Sequence, residues 1–191
     1  MKLYLSTIGV AMALISAVNI AFSAASWYYV VIAVVWCTVL QFLLDGFIAF
    51  VINKLPNKWF SVDNPLYNVS RLERALYKRL NVRKWKHRVW DLGGLGGFRK
   101  DAVKEPGNPK YIERFIIECN KGVLTHRLSY PVGFLAMLTL SGVCALTIAL
   151  PVAIVNLFLN ILPTLALRYN TPILKSVLAR LNRKENATAN T

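Results

Sequence analysis

Acidic side chains are scarce in this chain, with nine Asp and Glu against twenty-three Lys and Arg, and there are only two histidines, His87 and His126. No HxxxH-type spacing joins the histidines, so no metal site is expected. Cysteine is equally sparse. Cys37, Cys119 and Cys144 form no CxxC pair and no even-numbered framework, which argues against a zinc site or a disulfide scaffold. Cys119 reads as a small residue on a buried helix face, with a nucleophile as the alternative. A phosphate loop is missing too. Gly93, Gly94, Gly96 and Gly97 do not fit GxGxxG, because Arg99 stands three residues beyond Gly96, and no GK[ST] follows, so the run reads as a flexible turn. Charge is absent from long stretches, and a composition of 55% hydrophobic and 17% charged residues excludes an ordinary soluble domain.

Those uncharged stretches have membrane length. Leu3 to Phe22 is a run of twenty residues without charge, enough at ~1.5 Å per residue to span a hydrocarbon core about 30 Å thick. It exceeds the ~7–15 residues of a signal h-region and is read as an uncleaved helix. Trp27 to Ile52 follows, opened by Trp27, Tyr28 and Tyr29 at an aromatic-belt position and closed by Asn53, Lys54 and Lys58. Its one charge, Asp45, is a functional candidate as an intramembrane acid, unless it reaches the interface or pairs with Lys54. Val132 to Leu150 and Val152 to Leu167 read as a third and fourth span turning at Pro151. Asn156, Asn160 and Pro163 in the fourth need partners inside a bilayer. The expected fold is all-α and polytopic, with two transmembrane helical hairpins, four spans in all, flanking a basic amphipathic helical loop. The boundaries are hairpin 1 at residues 1–52, loop at 53–130, hairpin 2 at 131–168 and a basic tail at 169–191.

The positive charge has a topological reading. Residues 53–129 hold seventeen Lys or Arg against seven Asp or Glu, while the short links Ser23 to Ser26 and Leu150 to Pro151 hold none. The positive-inside rule makes the loop and both termini cytoplasmic, in a multi-pass membrane protein. Anionic lipid then accounts for the basic residues without nucleic acid. Leu66, Val69, Leu72, Leu76 and Leu80 recur at helical spacing with Arg71, Arg74, Lys78 and Arg79 on other faces. Such a helix either lies in the interface or packs on the rest of the loop. A further helix is expected from Tyr111 to about Leu128, with Ile112, Phe115, Cys119 and Val123 on one stripe and Glu118, Gly122 and His126 on another. Gly122 leaves either a cleft or room for the close approach of another helix.

Three motifs, in this order, carry a resemblance: Val82-Arg83-Lys84-Trp85-Lys86-His87; Glu118 with His126 eight residues on; and Asn160-Ile161-Leu162-Pro163 leading into Arg168-Tyr169-Asn170-Thr171-Pro172. From about Leu55 to Leu174 the chain resembles the bacterial glycosyl-4,4'-diaponeurosporenoate acyltransferase family, which esterifies the sugar of a glycosylated carotenoid acid with a fatty acyl chain. The chain departs from the family where Val123 replaces a second acid three residues before the histidine, where Arg127 replaces Trp, and where Thr171 and Ile173 replace Arg. An acid at position 123 would share a helical face with His126 and orient or charge-stabilise its ring.

The resemblance implies an O-acyltransferase that needs no cofactor, with acyl-CoA or an acyl carrier as co-substrate. Such a reaction needs a base, donors for the developing oxyanion and cations for the carrier's phosphates. His126 is the expected base, because an unperturbed imidazole titrates near pH ~6.5, and Glu118 is expected to hold a substrate hydroxyl or a cation. Arg83, Lys84, Lys86 and Arg168 suit phosphates. Trp85, His87, Asp91, Lys121, Asn160, Tyr169 and Asn170 complete the expected substrate- or carrier-binding set. Positive-inside anchoring alone would also fill the basic positions. The expected partners are membrane lipids, a fatty acyl donor, a glycosylated isoprenoid or other glycolipid acceptor, and neighbouring pathway enzymes, with no nucleic acid. The competing reading is a non-catalytic membrane protein that assembles those enzymes, and a transporter is a weaker third.

Overall fold

The computed structural model describes residues 2–89 and 102–189, and every regular element among them is helical. The described residues form six α-helices: α1 (Lys2–Phe22), α2 (Trp27–Lys54), α3 (Arg71–Arg79), α4 (Val82–Trp85), α5 (Pro109–Val132) and α6 (Leu150–Ala189). The chain divides into two compact units. Unit 1 comprises Met1–Val51 and Thr125–Ile161, and unit 2 comprises Ile52–Leu124 and Leu162–Thr191.

Unit 1 is an apolar bundle with its polar groups inside. Among the described residues three helices are long and apolar enough to cross a membrane: Tyr4–Phe22, Trp27–Lys54 and Ala145–Thr188. The expected third span, Val132 to Leu150, is not one regular helix. Beyond α5 the chain forms a 3-10 stretch at Gly133–Thr139, breaks at Leu140 to Gly142, and re-enters helix through a π-helical turn at Ala145–Ala149. The break therefore falls at Gly142, whose φ of +57° suits a residue without a Cβ, and not at Pro151. Pro151 follows the π-helical turn within an unbroken helical run from Val143, and its missing N–H leaves the Thr147 carbonyl, four residues back, without a helical donor.

Irregular backbone leaves carbonyls that a bilayer cannot hydrate, and two amides from neighbouring helices answer them. Gln41 on α2 donates to the Gly133 carbonyl at 2.6 Å, and Asn19 on α1 donates to the Thr147 carbonyl at 2.8 Å. Gly133 is needed for the first contact, since a Cβ there would stand 3.0 Å from Gln41 Oε1. Val30, Ala33, Val34 and Ile148 form a core with Ala25, Leu140 and Cys144 packed on it. The α1–α2 link and the Leu140–Gly142 break thus lie at the same end of unit 1. Leu14, Phe22, Trp27 and Phe47 face outward.

Unit 2 carries the basic sequence. Its expected leucine-striped helix is divided into a 3-10 turn at Pro65–Tyr67 and α3, whose start is fixed by Ser70 Oγ accepting from the Glu73 amide at 3.1 Å. Inward go Val69, Tyr77 and Val82, packed with Trp85, Leu165 and Tyr169. Outward go Leu66 and Leu72, 73% and 85% exposed, with Leu76 and Leu80. The expected stripe on α5 holds, as Ile112, Phe115, Cys119 and Val123 are all buried. In place of a fourth span ending at Leu167 and a separate tail, α6 continues to Ala189 through Pro163 and Pro172.

Candidate functional site

In unit 1, three helices bring one side chain each to a polar relay. His126 extends from α5, Asn160 from α6 and Asp45 from α2. His126 Nδ1 lies 2.7 Å from Asn160 Oδ1, and Asn160 Nδ2 donates to Asp45 Oδ2 at 3.1 Å. The same Nδ2 points at the Asn156 carbonyl at 3.0 Å and at Asn156 Oδ1 at 3.2 Å. Because the Asn160 nitrogen faces three acceptors, its oxygen must face the ring, and Nδ1 must carry the donated proton. In the neutral ring Nε2 is then the acceptor nitrogen, the tautomer a general base requires. Asp45 Oδ1 is buried and takes no hydrogen bond among the described residues. The relay continues inward through Asn156, which donates to Gln41 Oε1 at 2.9 Å.

Unit 2 gathers the cationic candidates. Arg168, 5% exposed, donates through Nη2 to Glu73 Oε2 at 2.6 Å and to the Asn68 carbonyl at 3.0 Å, and through Nε to Glu73 Oε1. Tyr77 donates its hydroxyl to the same carboxylate. Burial alone would raise the Glu73 carboxyl, but hydrogen bonds from Arg168 and Tyr77, the Arg168 charge and the Ser70 backbone hold it below the ordinary glutamate range. Arg168 therefore fastens α3 to α6. Lys86 Nζ donates to Asn170 Oδ1 at 2.6 Å and lies 4.9 Å from the Tyr169 ring centroid. Burial, with repulsion from Arg83, lowers its ammonium below the ordinary lysine value. Trp85 Nε1 donates to the Leu80 carbonyl at 3.0 Å.

The expected site residues are thus distributed between the units. His126 and Asn160 meet in unit 1. Lys86, Trp85, Tyr169, Asn170 and Arg168 cluster in unit 2, where Arg83, Lys84 and His87 are exposed. Glu118 pairs with Lys121 at 3.5 Å, and the Lys121 ammonium lies 5.9 Å from the Phe60 ring centroid. Asp91 lies outside the described residues, as do Trp90 and the glycine run. The expected set did not include Asp45, Asn156, Gln41 or Glu73. The first two were visible as polar residues in apolar runs, but nothing in the spacing named their partners. Val123, where the family carries an acid, is 1% exposed on the apolar stripe of α5, a position that suits an aliphatic side chain.

A family model described as glycosyl-4,4'-diaponeurosporenoate acyltransferase matches residues 56–180. No curated protein and no solved structure matches the chain.

Proposed function

The chain belongs to the glycosyl-4,4'-diaponeurosporenoate acyltransferase family, and on that premise we propose that it transfers a fatty acyl group to a sugar hydroxyl of a glycosylated carotenoid or related glycolipid. The observation that carries this reading is the His126–Asn160–Asp45 relay. His126 Nε2 takes the proton of the sugar hydroxyl as its oxygen attacks the acyl carbonyl. The tetrahedral adduct then collapses, the C–S bond to the carrier breaks, and the thiolate leaves with the proton returned from the imidazolium. Asn160 fixes the ring, and the carboxylate of Asp45, reached through the Asn160 amide, favours the imidazolium formed midway. Loss of the family acid at Val123 therefore does not leave His126 without an orienting group.

The exposed cations Arg83 and Lys84, with Lys86, are the groups suited to the phosphates of an acyl-CoA or acyl-carrier donor. Two hairpins that turn at the same end of unit 1 support an even number of crossings, with the basic loop and both termini on the cytoplasmic side of the cell membrane. The second hairpin rises irregularly, which is why it contributes only one long apolar helix. On α3, outward Leu72 and Leu76 stand beside Arg71, Arg74 and Lys78, an arrangement suited to the anionic lipid interface. A nitroxide at position 72 should then meet lipid-phase oxygen more often than an aqueous nickel complex. The reverse ranking would place α3 in water.

The test of function compares lipid and pigment extracts by mass spectrometry from cells with the intact gene, a deletion, and His126→Ala. Loss of one acylated species in both altered strains identifies the acceptor by mass. Loss in the deletion alone would make the chain an assembly protein for neighbouring enzymes.

A further inference from the structure

Unit 1 contains an elongated groove between α1, α2 and α6. Its α1 wall runs from Tyr4 through Ile8, Ala11 and Met12 to Ile15, eleven residue steps or about 16 Å of helix rise. A groove of that length between packed helices matches one extended polymethylene chain, whose non-bonded carbon contacts lie ~3.5–4.0 Å apart. The remaining walls are mostly apolar, among them Phe42, Val152 and Leu159.

The two ends differ. At one end Ile15 packs against the buried cluster of Cys37, Ala149 and Val152. At the other end the wall passes through Phe42 and Leu159, which stand three residues before Asp45 and next to Asn160 of the relay. Between them Gln41 and Asn156 line the wall, and these two amides continue through Asn160 to His126 by unbroken hydrogen bonds. A hydrocarbon lying here has its methyl end at Ile15 and its functional end toward the relay.

We propose that the α1–α2–α6 channel holds one linear fatty acyl chain and that Ala11, Met12, Ile15 and Thr38 set the length of chain accepted. This rests on the acyltransferase reading for its purpose, though not for the binding itself. Membrane lipid contacts any exposed groove, so the distinguishing property is a saturable site of fixed depth.

The experiment uses the full chain in phosphatidylcholine nanodiscs with palmitic acid bearing a diazirine near its terminal methyl. Photolabelling is expected on the Met12, Ile15 and Thr38 peptides, with suppression by excess unlabelled palmitic acid. Ala11→Trp should abolish it. Thr38→Phe, which fills the channel from a different helix, guards against a folding defect in the first variant, and monodisperse elution of either shows that it is folded. The proposal is overturned by labelling spread over outward residues such as Leu14 and Phe47, by labelling that unlabelled acid does not suppress, or by labelling that persists in both filled variants. The two readings also separate. Channel labelling in a chain that transfers no acyl group would keep the site and remove the acyltransferase. Transfer with an unchanged product chain-length profile in both filled variants would do the opposite.

Discussion

In unit 1 apolar side chains face outward and the amides inward, whereas in unit 2 the surface is basic and the interior joins aromatic packing to ion pairs. The difference follows from the medium each sequence is suited to. Where lipid surrounds a bundle, apolar surface gives little net drive for helix association, so polar contacts must specify it. Asn19, Gln41, Asn156 and Asn160 do this in unit 1 by satisfying irregular backbone and one another. Where a loop meets water or headgroups, most cations stay outside, and the deeply buried Arg168 has a carboxylate, a phenol and a carbonyl around it.

The largest stability effect should come from breaking the ion pair. Arg168→Ala strands the partly buried Glu73 and should destabilise unit 2 by about 3 kcal/mol, the lower end of the range for a buried pair because Glu73 keeps some solvent contact. Limited proteolysis in nanodiscs should then cut residues 52–89 while the helices of unit 1 stay protected. Cleavage in both units at once would show that they do not differ as described.

A smaller effect is expected from Gln41→Leu. That change leaves the Gly133 carbonyl without its donor, at a cost of about 1–3 kcal/mol. Thermal unfolding in detergent should show it. An unchanged midpoint would mean that the irregular hairpin does not depend on the amide.

The smallest effect is on pH dependence. Glu73 titrates below its unfolded value of ~4.3, so its stabilisation is complete above that value and is lost as pH falls from there through the lower folded value. Between about pH 4.3 and lower values, the wild type should lose stability more steeply than Glu73→Gln, measured by acid titration of near-UV ellipticity. Equal slopes would remove Glu73 from the account.

How much of this was legible in the sequence follows the same division. Helices α1 and α2 stand within two residues of the runs Leu3 to Phe22 and Trp27 to Ile52, because a charge-free stretch of that length has few alternatives. His126 stood out as the candidate base from its chemistry alone, whereas its contact with Asn160 did not. The turn was misplaced at Pro151 because a helix carries proline where a neighbour, here Asn19, answers the freed carbonyl, and the real break falls at Gly142. Pro163 and Pro172 read as breakers, yet α6 runs through both. Arg168 reads as a phosphate ligand until Glu73, ninety-five residues away, is found against it. Asn160 and Asp45 are likewise separated by 115 residues, and no spacing rule joins them.

The central claim is that His126, oriented by Asn160, is the base. Its most direct test is the initial rate of transfer from a labelled acyl donor to the endogenous acceptor, using the full chain in nanodiscs as wild type, His126→Ala and Asn160→Ala. The account predicts a fall of about 10²–10⁴-fold for His126→Ala, with Asn160→Ala between that and wild type. Transfer by His126→Ala at the wild-type rate would contradict it.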